Sequence, residues 1–124
     1  MVTVNEARIA SEKIIDLINA TPKAQKILAA ENWSVAFQFE LDEPPFYIKI
    51  QDGKATLKKG TCSNPTLFIV GSGASIARAS SGQGDFTHCI SREEVEIRQG
   101  KVMELIRYGR AITAALKERK TERK

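Results

Sequence analysis

The side chains best suited to chemistry in this sequence are one histidine, His88, and two cysteines, Cys62 and Cys89. A zinc site needs His, Cys or carboxylate ligands in characteristic pairs, and no C-x-x-C arrangement or second histidine is present. A cysteine–histidine nucleophile pair is also disfavoured, because neighbours on an extended segment point to opposite faces. We therefore predict a non-enzymatic protein without catalytic residues, metal or other cofactor, in which both cysteines are unpaired thiols.

Three glutamates before and within a predicted strand, Glu93, Glu94 and Glu96, could supply carboxylates for general acid–base work. Only Glu94 and Glu96 share a strand face, and nothing in the sequence indicates the burial that would raise their pKa values. We expect these carboxylates to be solvated.

The glycine-rich segment Gly71-Ser72-Gly73 follows a strand and opens a helix, as a dinucleotide-binding loop does. The third glycine of that pattern is replaced by Ile76, and Ser80-Ser81-Gly82 ends the helix within about two turns. Gly100-Lys101 lacks both the first glycine and the hydroxyl of a phosphate-binding loop. The sequence therefore disfavours nucleotide binding.

Length and charge narrow the class of protein further. The chain has 124 residues, enough for one domain over residues 1–124. Its net charge is +4, but residues 117–124 hold five basic residues against two acidic ones, so most of the net positive charge lies in this C-terminal tail. We expect residues 118–124 to fray from the end of a helix. We expect no nucleic acid as a partner. The alternative to a merely solvated tail is transient contact with anionic membranes. Charged residues near the N-terminus and the lack of a long apolar run predict a cytoplasmic protein.

Alternating apolar residues predict a meander of three strands. The first strand starts at Trp33, and large apolar side chains occupy every second position as far as Leu41. A second alternating run begins at Phe46, and an Asp52-Gly53 turn leads to a third. Two further strands are predicted at 66–70 and 94–98, the former apolar on both faces as in the interior of a sheet.

Helices are predicted before and after these strands. A capping box at Thr3 and Glu6 starts the first helix, and Thr21-Pro22 starts a second that ends near Asn32. Short helices follow Gly73 and Asp85, and the last helix runs from about Lys101 to Lys117 with a broad apolar stripe. The sequence thus predicts an α+β fold.

In this order of elements, residues 35–116 resemble a sterol carrier protein domain, in the style of single-domain prokaryotic members. The resemblance rests on Phe46–Lys54 with its Asp-Gly turn, on Gly60 before Asn64–Val70, on Ser81-Gly82 with Asp85, and on Val95–Gly100 before the last helix. Two features depart from the family: Ser91–Glu94 lacks a glycine that such domains often carry, and the C-terminus is not a peroxisomal Ser-Lys-Leu signal.

The resemblance implies a five-stranded mixed sheet with helices on one face and an apolar tunnel between the layers for a lipid, fatty acyl chain or sterol-like molecule. Strand alternation and the helical stripe supply candidate lining residues, although core packing without a ligand would also explain each of them: Phe37, Phe39, Ile48, Phe68, Phe86, Met103, Ile106 and Ile112.

Two functions are compatible with these predictions. The first is binding and transport of an apolar ligand. The second is a protein interaction or dimerisation module, or an accessory to lipid-soluble quinone synthesis, in which the last helix would meet a protein, with a homodimer as one form. A carrier keeps an internal cavity as a monomer, whereas an interface module buries exposed apolar surface on association.

Overall fold

The computed structural model describes residues 6–82 and 86–122, with side chains described as far as Glu118. Five helices and five strands follow in the predicted order, with a short 3-10 helix after the second helix. Their bounds are α1 Glu6–Asn19, α2 Pro22–Ala29, the 3-10 helix Ala30–Asn32, β1 Val35–Leu41, β2 Phe46–Gln51, β3 Lys54–Lys59, β4 Leu67–Gly71, α3 Gly73–Ser80, α4 Phe86–Ser91, β5 Val95–Gln99 and α5 Val102–Glu122.

The strands form one mixed sheet in the order β3-β2-β1-β4-β5. The meander is confirmed, since β1 pairs antiparallel with β2 and β2 with β3, while β1 and β4 run parallel. Asp52 and Gly53 both have positive φ angles, of 54° and 75°. That conformation suits a two-residue hairpin turn and explains the Asp-Gly pair.

One face of the sheet carries the core. Alternation places Val35, Phe37 and Phe39 of β1 on this inner face, where they meet Ile50, Ile48 and Phe46 of β2 in register. All six side chains are buried. The helices cover this face, and α5 lies over the centre of it, because Tyr108 of α5 packs against Phe37. The predicted α+β architecture, a mixed sheet with helices on one face, is confirmed.

The turn between β1 and β2 supplies carboxylates to two helix N-termini. The Ala7 and Arg8 amides donate to the Glu43 carboxylate at 3.2 and 3.1 Å, and the Gly73 amide donates to Asp42 Oδ1 at 2.7 Å. Acidic groups are favourable at these positions because the first amides of a helix lack intrahelical partners. Thr3 of the predicted capping box lies outside the described residues.

The C-terminal helix is longer than predicted. It continues beyond Lys117 to Glu122. An ion pair of 3.1 Å between Lys23 Nζ of α2 and Glu118 Oε1 joins the helices near this end. The sequence pattern missed the extension because residues 117–122 carry charge rather than an apolar stripe, and charged residues form helix readily.

The turn over Ser91–Glu94 has no glycine but contains a residue with a glycine-like backbone. Glu93 has a φ angle of 61°, in the left-handed region that glycine adopts most easily. Its amide donates to the Ile90 carbonyl at 3.0 Å, which closes α4 before β5 begins. The chain therefore makes this turn with a glutamate.

Candidate functional site

Aromatic side chains meet between the sheet and the helices. We call them the aromatic layer, and its members are Phe37, Phe39, Phe46, Phe86 and Tyr108, each at most 3% exposed. The Phe39 and Phe46 rings stack with centroids 4.9 Å apart, and the Tyr108 ring lies 5.5 Å from Phe37 and 6.0 Å from Phe86. The layer therefore joins β1, β2, α4 and α5 through ring contacts.

The predicted lining residues divide among three places. Five of them are buried between the sheet and the helices: Phe37, Phe39, Ile48, Phe86 and Ile112. Two others, Met103 and Ile106, line a groove between α5 and the end of α2, and Met103 is 59% exposed.

The eighth, Phe68, is on the opposite face of the sheet. The register of β1 with β4 pairs Phe37 with Leu67 and Phe39 with Ile69, which puts Leu67 and Ile69 on the inner face. Phe68 pairs with Gln38 and is only half-buried. Since β4 is apolar on both faces, alternation alone did not indicate which side meets the helices.

Tyr108 belongs to the aromatic layer, although the sequence did not indicate it as a lining residue. It is fully buried, and within the described part of the chain its hydroxyl has no hydrogen-bond partner. Burial raises the pKa of the Tyr108 phenol, so the hydroxyl stays protonated and is a potential donor. A buried hydroxyl without a partner costs about 1–3 kcal/mol. The sequence signal was a polar atom within an otherwise apolar helical stripe.

The groove lies between the end of α2, the 3-10 helix and α5, and has a volume of about 420 Å³. This volume falls within the range of about 300–1,000 Å³ found for small-molecule sites. Apolar side chains and four charged ones surround it: Ile27, Ala30, Glu31, Met103, Glu104, Ile106, Arg107 and Arg110. A groove with this lining suits a molecule that has both an apolar chain and polar atoms.

Trp33, Glu104 and Arg107, which we call the Trp33 cluster, lie between the groove and the aromatic layer. The Arg107 guanidinium lies 4.5 Å from the centroid of the Trp33 ring, and the Trp33 indole N–H donates to the Glu104 carboxylate. On its other side, Trp33 meets the Phe37 ring edge-on at 6.3 Å. Trp33 is therefore the side chain that connects the groove with the layer.

Arg107 also holds α5 to the preceding elements. Its Nη2 donates to the Ile27 carbonyl at 3.1 Å and to the Ala30 carbonyl, and its Nε donates to Ile27 at 3.3 Å. These carbonyls belong to the last turn of α2 and to the 3-10 helix, where intrahelical donors run out. Arg107 thus bridges the two walls of the groove.

The histidine and the two cysteines that could have supplied enzyme chemistry differ in their exposure to solvent. His88 and Cys89 lie on α4 rather than on the extended segment expected, with His88 exposed and Cys89 buried against the Ser75 carbonyl. Cys62 and Cys89 form no disulfide with each other. Over residues 6–82 and 86–118, no three His, Cys, Asp or Glu side chains are grouped as a metal site would require.

The carboxylates and the glycine loop have structural partners. Glu94 accepts from the Ser75 hydroxyl at 2.9 Å and pairs with Arg78 at 3.4 Å, while Glu96 pairs with Arg98. At the N-terminus of α3, the Asp42 carboxylate already occupies the Gly73 amide that a phosphate would need. This arrangement supports the prediction against nucleotide binding.

No protein-family model and no curated protein matches this chain. Solved structures do match. One is UbiJ-SCP2, a ubiquinone synthesis protein, with a TM-score of 0.67, 10% identity, and coverage of 88% of this chain and 94% of that one. Palmitated SCP2L2 from Aedes aegypti gives a TM-score of 0.63 at 11% identity, covering 90% and 95% of the two chains.

A third match is a conserved protein from Thermus thermophilus, described as possibly a sterol carrier protein. Its TM-score is 0.58 at 14% identity, with coverage of 94% of this chain and 86% of that one. No helix in the described ranges is long and apolar enough to cross a membrane. The mixed sheet, its helical cover and these likenesses together show that the chain has the α+β fold of the sterol carrier protein 2-like domains.

Proposed function

We propose that this protein binds and transfers a lipid with a long apolar chain, which it holds between the inner face of the sheet and α5. The observation that carries the proposal is the groove beside α5, whose lining residues Glu104 and Arg107 contact Trp33. Trp33 in turn meets Phe37 of the aromatic layer. The fold adds support, because one structure that shares it is described as palmitated. The proposed role is that of a carrier that catalyses no reaction on its ligand.

The energetics suit such a ligand. A chain of roughly fifteen methylenes, at about 0.8 kcal/mol for each one buried, gains about 12 kcal/mol of transfer free energy. Association costs about 4–15 kcal/mol, so an apolar chain alone can offset the costs of binding. Part of this transfer free energy is offset in this protein, because a chain that enters the aromatic layer must first separate the Phe37 and Tyr108 rings.

Access requires the groove to open at its two walls. Arg107 is the group that bridges them, through the carbonyls of Ile27 and Ala30. When these hydrogen bonds break, α5 can move away from α2 and Trp33 can leave its place beside Phe37. The groove is then the mouth of the predicted tunnel, with Met103 and Ile106 at its rim.

Native mass spectrometry of the purified protein, followed by organic extraction, tests the proposal. We expect a lipid of defined mass at a near-stoichiometric level. A protein that carries no lipid and also binds no fluorescently labelled fatty acid would contradict the carrier function.

Replacing Arg107 by leucine tests the route of access. We expect Arg107→Leu to exchange a labelled fatty acid several-fold faster than the unaltered protein, because the hydrogen bonds between the groove walls are lost while an apolar side chain remains. Stopped-flow fluorescence of lipid release to vesicles measures the rate. Arg110→Leu is the matched control, since it removes the same charge from the same groove without removing a contact between its walls. Equal rates in the two variants would rule out Arg107 as the bridge.

The last residues and the cellular location belong to the same proposal. Five basic residues within 117–124 would favour brief contact with an anionic membrane during transfer, at about 1 kcal/mol for each residue near the surface. A cytoplasmic location would place this tail beside such membranes. Sedimentation with vesicles of increasing anionic lipid content tests the contact.

The alternative function, an interaction module or an accessory to quinone synthesis, is favoured by a separate observation. At the start of α5, Val102 and Met103 are 39% and 59% exposed, so large apolar side chains lie next to the groove. The similarity to UbiJ-SCP2 is in keeping with this alternative. Light scattering after size exclusion distinguishes the two: a homodimer that Met103→Lys dissociates favours the interface, whereas a monomer with bound lipid favours the carrier.

A further inference from the structure

The Tyr108 hydroxyl is distinguished from the other buried hydroxyls that lack a partner. Ser11 and Ser80 also have such oxygens, but both lie within helices, and a serine hydroxyl can rotate toward a carbonyl of the preceding turn. The Tyr108 oxygen stands at the far end of a ring, beyond the reach of its own helix backbone. Its partner must therefore come from elsewhere.

An ordered water would need suitable partners to occupy this place. A buried water makes about 2–4 hydrogen bonds, so it needs several polar neighbours. The rings in contact with Tyr108 are those of Phe37 and Phe86, which offer none. Gly109, the next residue of α5, also faces the Phe86 ring, at 3.4 Å from the position that a Cβ would take.

We infer that the Tyr108 hydroxyl is the binding group for the oxygen of an uncharged lipid, such as a long-chain alcohol or an acyl ester, held between the sheet and α5. This inference rests on the proposed carrier function and specifies the chemistry of its ligand. The phenol donates its O–H to the hydroxyl or carbonyl oxygen of the lipid, and the apolar chain extends past Phe37 and Trp33 toward the groove.

The surroundings of Tyr108 select against a charged head group. None of the buried residues in the described part of the chain is charged: the polar ones are Ser11, Thr21, Gln38, Ser75 and Ser80. An ionised carboxylate beside Tyr108 would thus be buried without a countercharge, which is strongly unfavourable. The phenol itself is neutral, because burial raises its pKa, and so it serves as a donor.

The test compares dodecanol with tridecane, which have equal numbers of heavy atoms but differ in the oxygen. Each is supplied from the same cyclodextrin complex, and the amount bound to the full chain is measured by extraction and gas chromatography. We expect the protein to prefer dodecanol over tridecane, and Tyr108→Phe to reduce that preference about tenfold or more by weakening dodecanol binding alone. Tyr47→Phe is the matched control: Tyr47 pairs with Gln38 on the opposite face of the sheet, and its removal should leave the preference unchanged.

A second measurement separates a ligand-binding hydroxyl from a structural one. Without lipid, Tyr108→Phe should melt at the same temperature as the unaltered protein or at a higher one, because the change removes a buried group that lacks a partner. A lower melting temperature would overturn the inference, since the hydroxyl would then stabilise the protein itself. An unchanged preference for dodecanol in Tyr108→Phe, with both compounds bound, would overturn the inference and leave the carrier function standing. Failure of both compounds to bind would overturn the two together.

Discussion

Replacing Phe37 by alanine should lower the free energy of unfolding by about 3–5 kcal/mol, a large part of the stability of a small domain. Phe37 is fully buried at the centre of β1, and its ring lies 5.5 to 6.5 Å from the rings of Tyr108, Trp33 and Phe39. The substitution removes these contacts and leaves a cavity that the rigid sheet can fill only in part. Urea denaturation, with an unchanged dependence on denaturant concentration, measures the loss.

Phe68→Ala is the matched control on the other face of the sheet. Phe68 is half-buried and faces away from the helices, so its removal opens the site to water rather than creating an enclosed cavity. We expect a loss of less than about half that of Phe37→Ala. Equal losses in the two variants would contradict the assignment of the inner face.

The Phe37→Ala substitution also has a consequence for lipid binding. A lipid chain that enters the aromatic layer must displace rings in the unaltered protein. A variant that already has space there needs less free energy to open the layer. Phe37→Ala should therefore bind a labelled long-chain alcohol more tightly, provided that it folds. Phe37→Leu creates a smaller space and serves if it does not. Weaker binding in both variants would identify Phe37 as a direct ligand contact.

Periodicity predicted the layers of this fold well because burial imposes it. The alternation in β1 and β2 persists because one face of each strand packs under helices, and the Asp52-Gly53 turn requires positive φ angles at both residues. The order of the elements followed from these local patterns. What the patterns lacked was any indication of which side of β4 is covered, and for that reason Phe68 was assigned to the wrong face.

Other features depend on contacts between distant residues. Glu43 and Asp42 hold the N-termini of α1 and α3, although these helices begin more than thirty residues away along the chain. Arg107 joins α5 to carbonyls of α2 in the same way. No local pattern of residue types encodes such pairings, because a carboxylate in a turn and an arginine on a helix are equally common as solvated groups. The candidate site was predictable as apolar surface, while its polar contacts were not.

Replacing Gly71 by alanine should destabilise the protein by about 2–4 kcal/mol, through backbone strain together with a steric clash. Gly71 has a φ angle of 151°, which L side chains rarely adopt, and a Cβ there would lie 2.3 Å from the Glu94 carbonyl oxygen and 2.7 Å from Val95 Cα. Glu94 directly precedes β5 and Val95 is its first residue, so relief of the clash requires β4 and β5 to separate. Thermal denaturation together with hydrogen exchange of the β5 amides measures the effect, which should be concentrated at that edge of the sheet.

Gly60→Ala separates the two contributions, since Gly60 also has a positive φ angle, of 104°, but a Cβ there would meet no atom within 4 Å. Its substitution should cost only the strain, about 1 kcal/mol. A Gly71→Ala variant no less stable than Gly60→Ala would contradict the close approach of β5. The expected difference would instead assign Gly71 to the packing of β4 against β5. Because the Gly73 amide already donates to Asp42, both glycines then have structural roles that require no bound nucleotide.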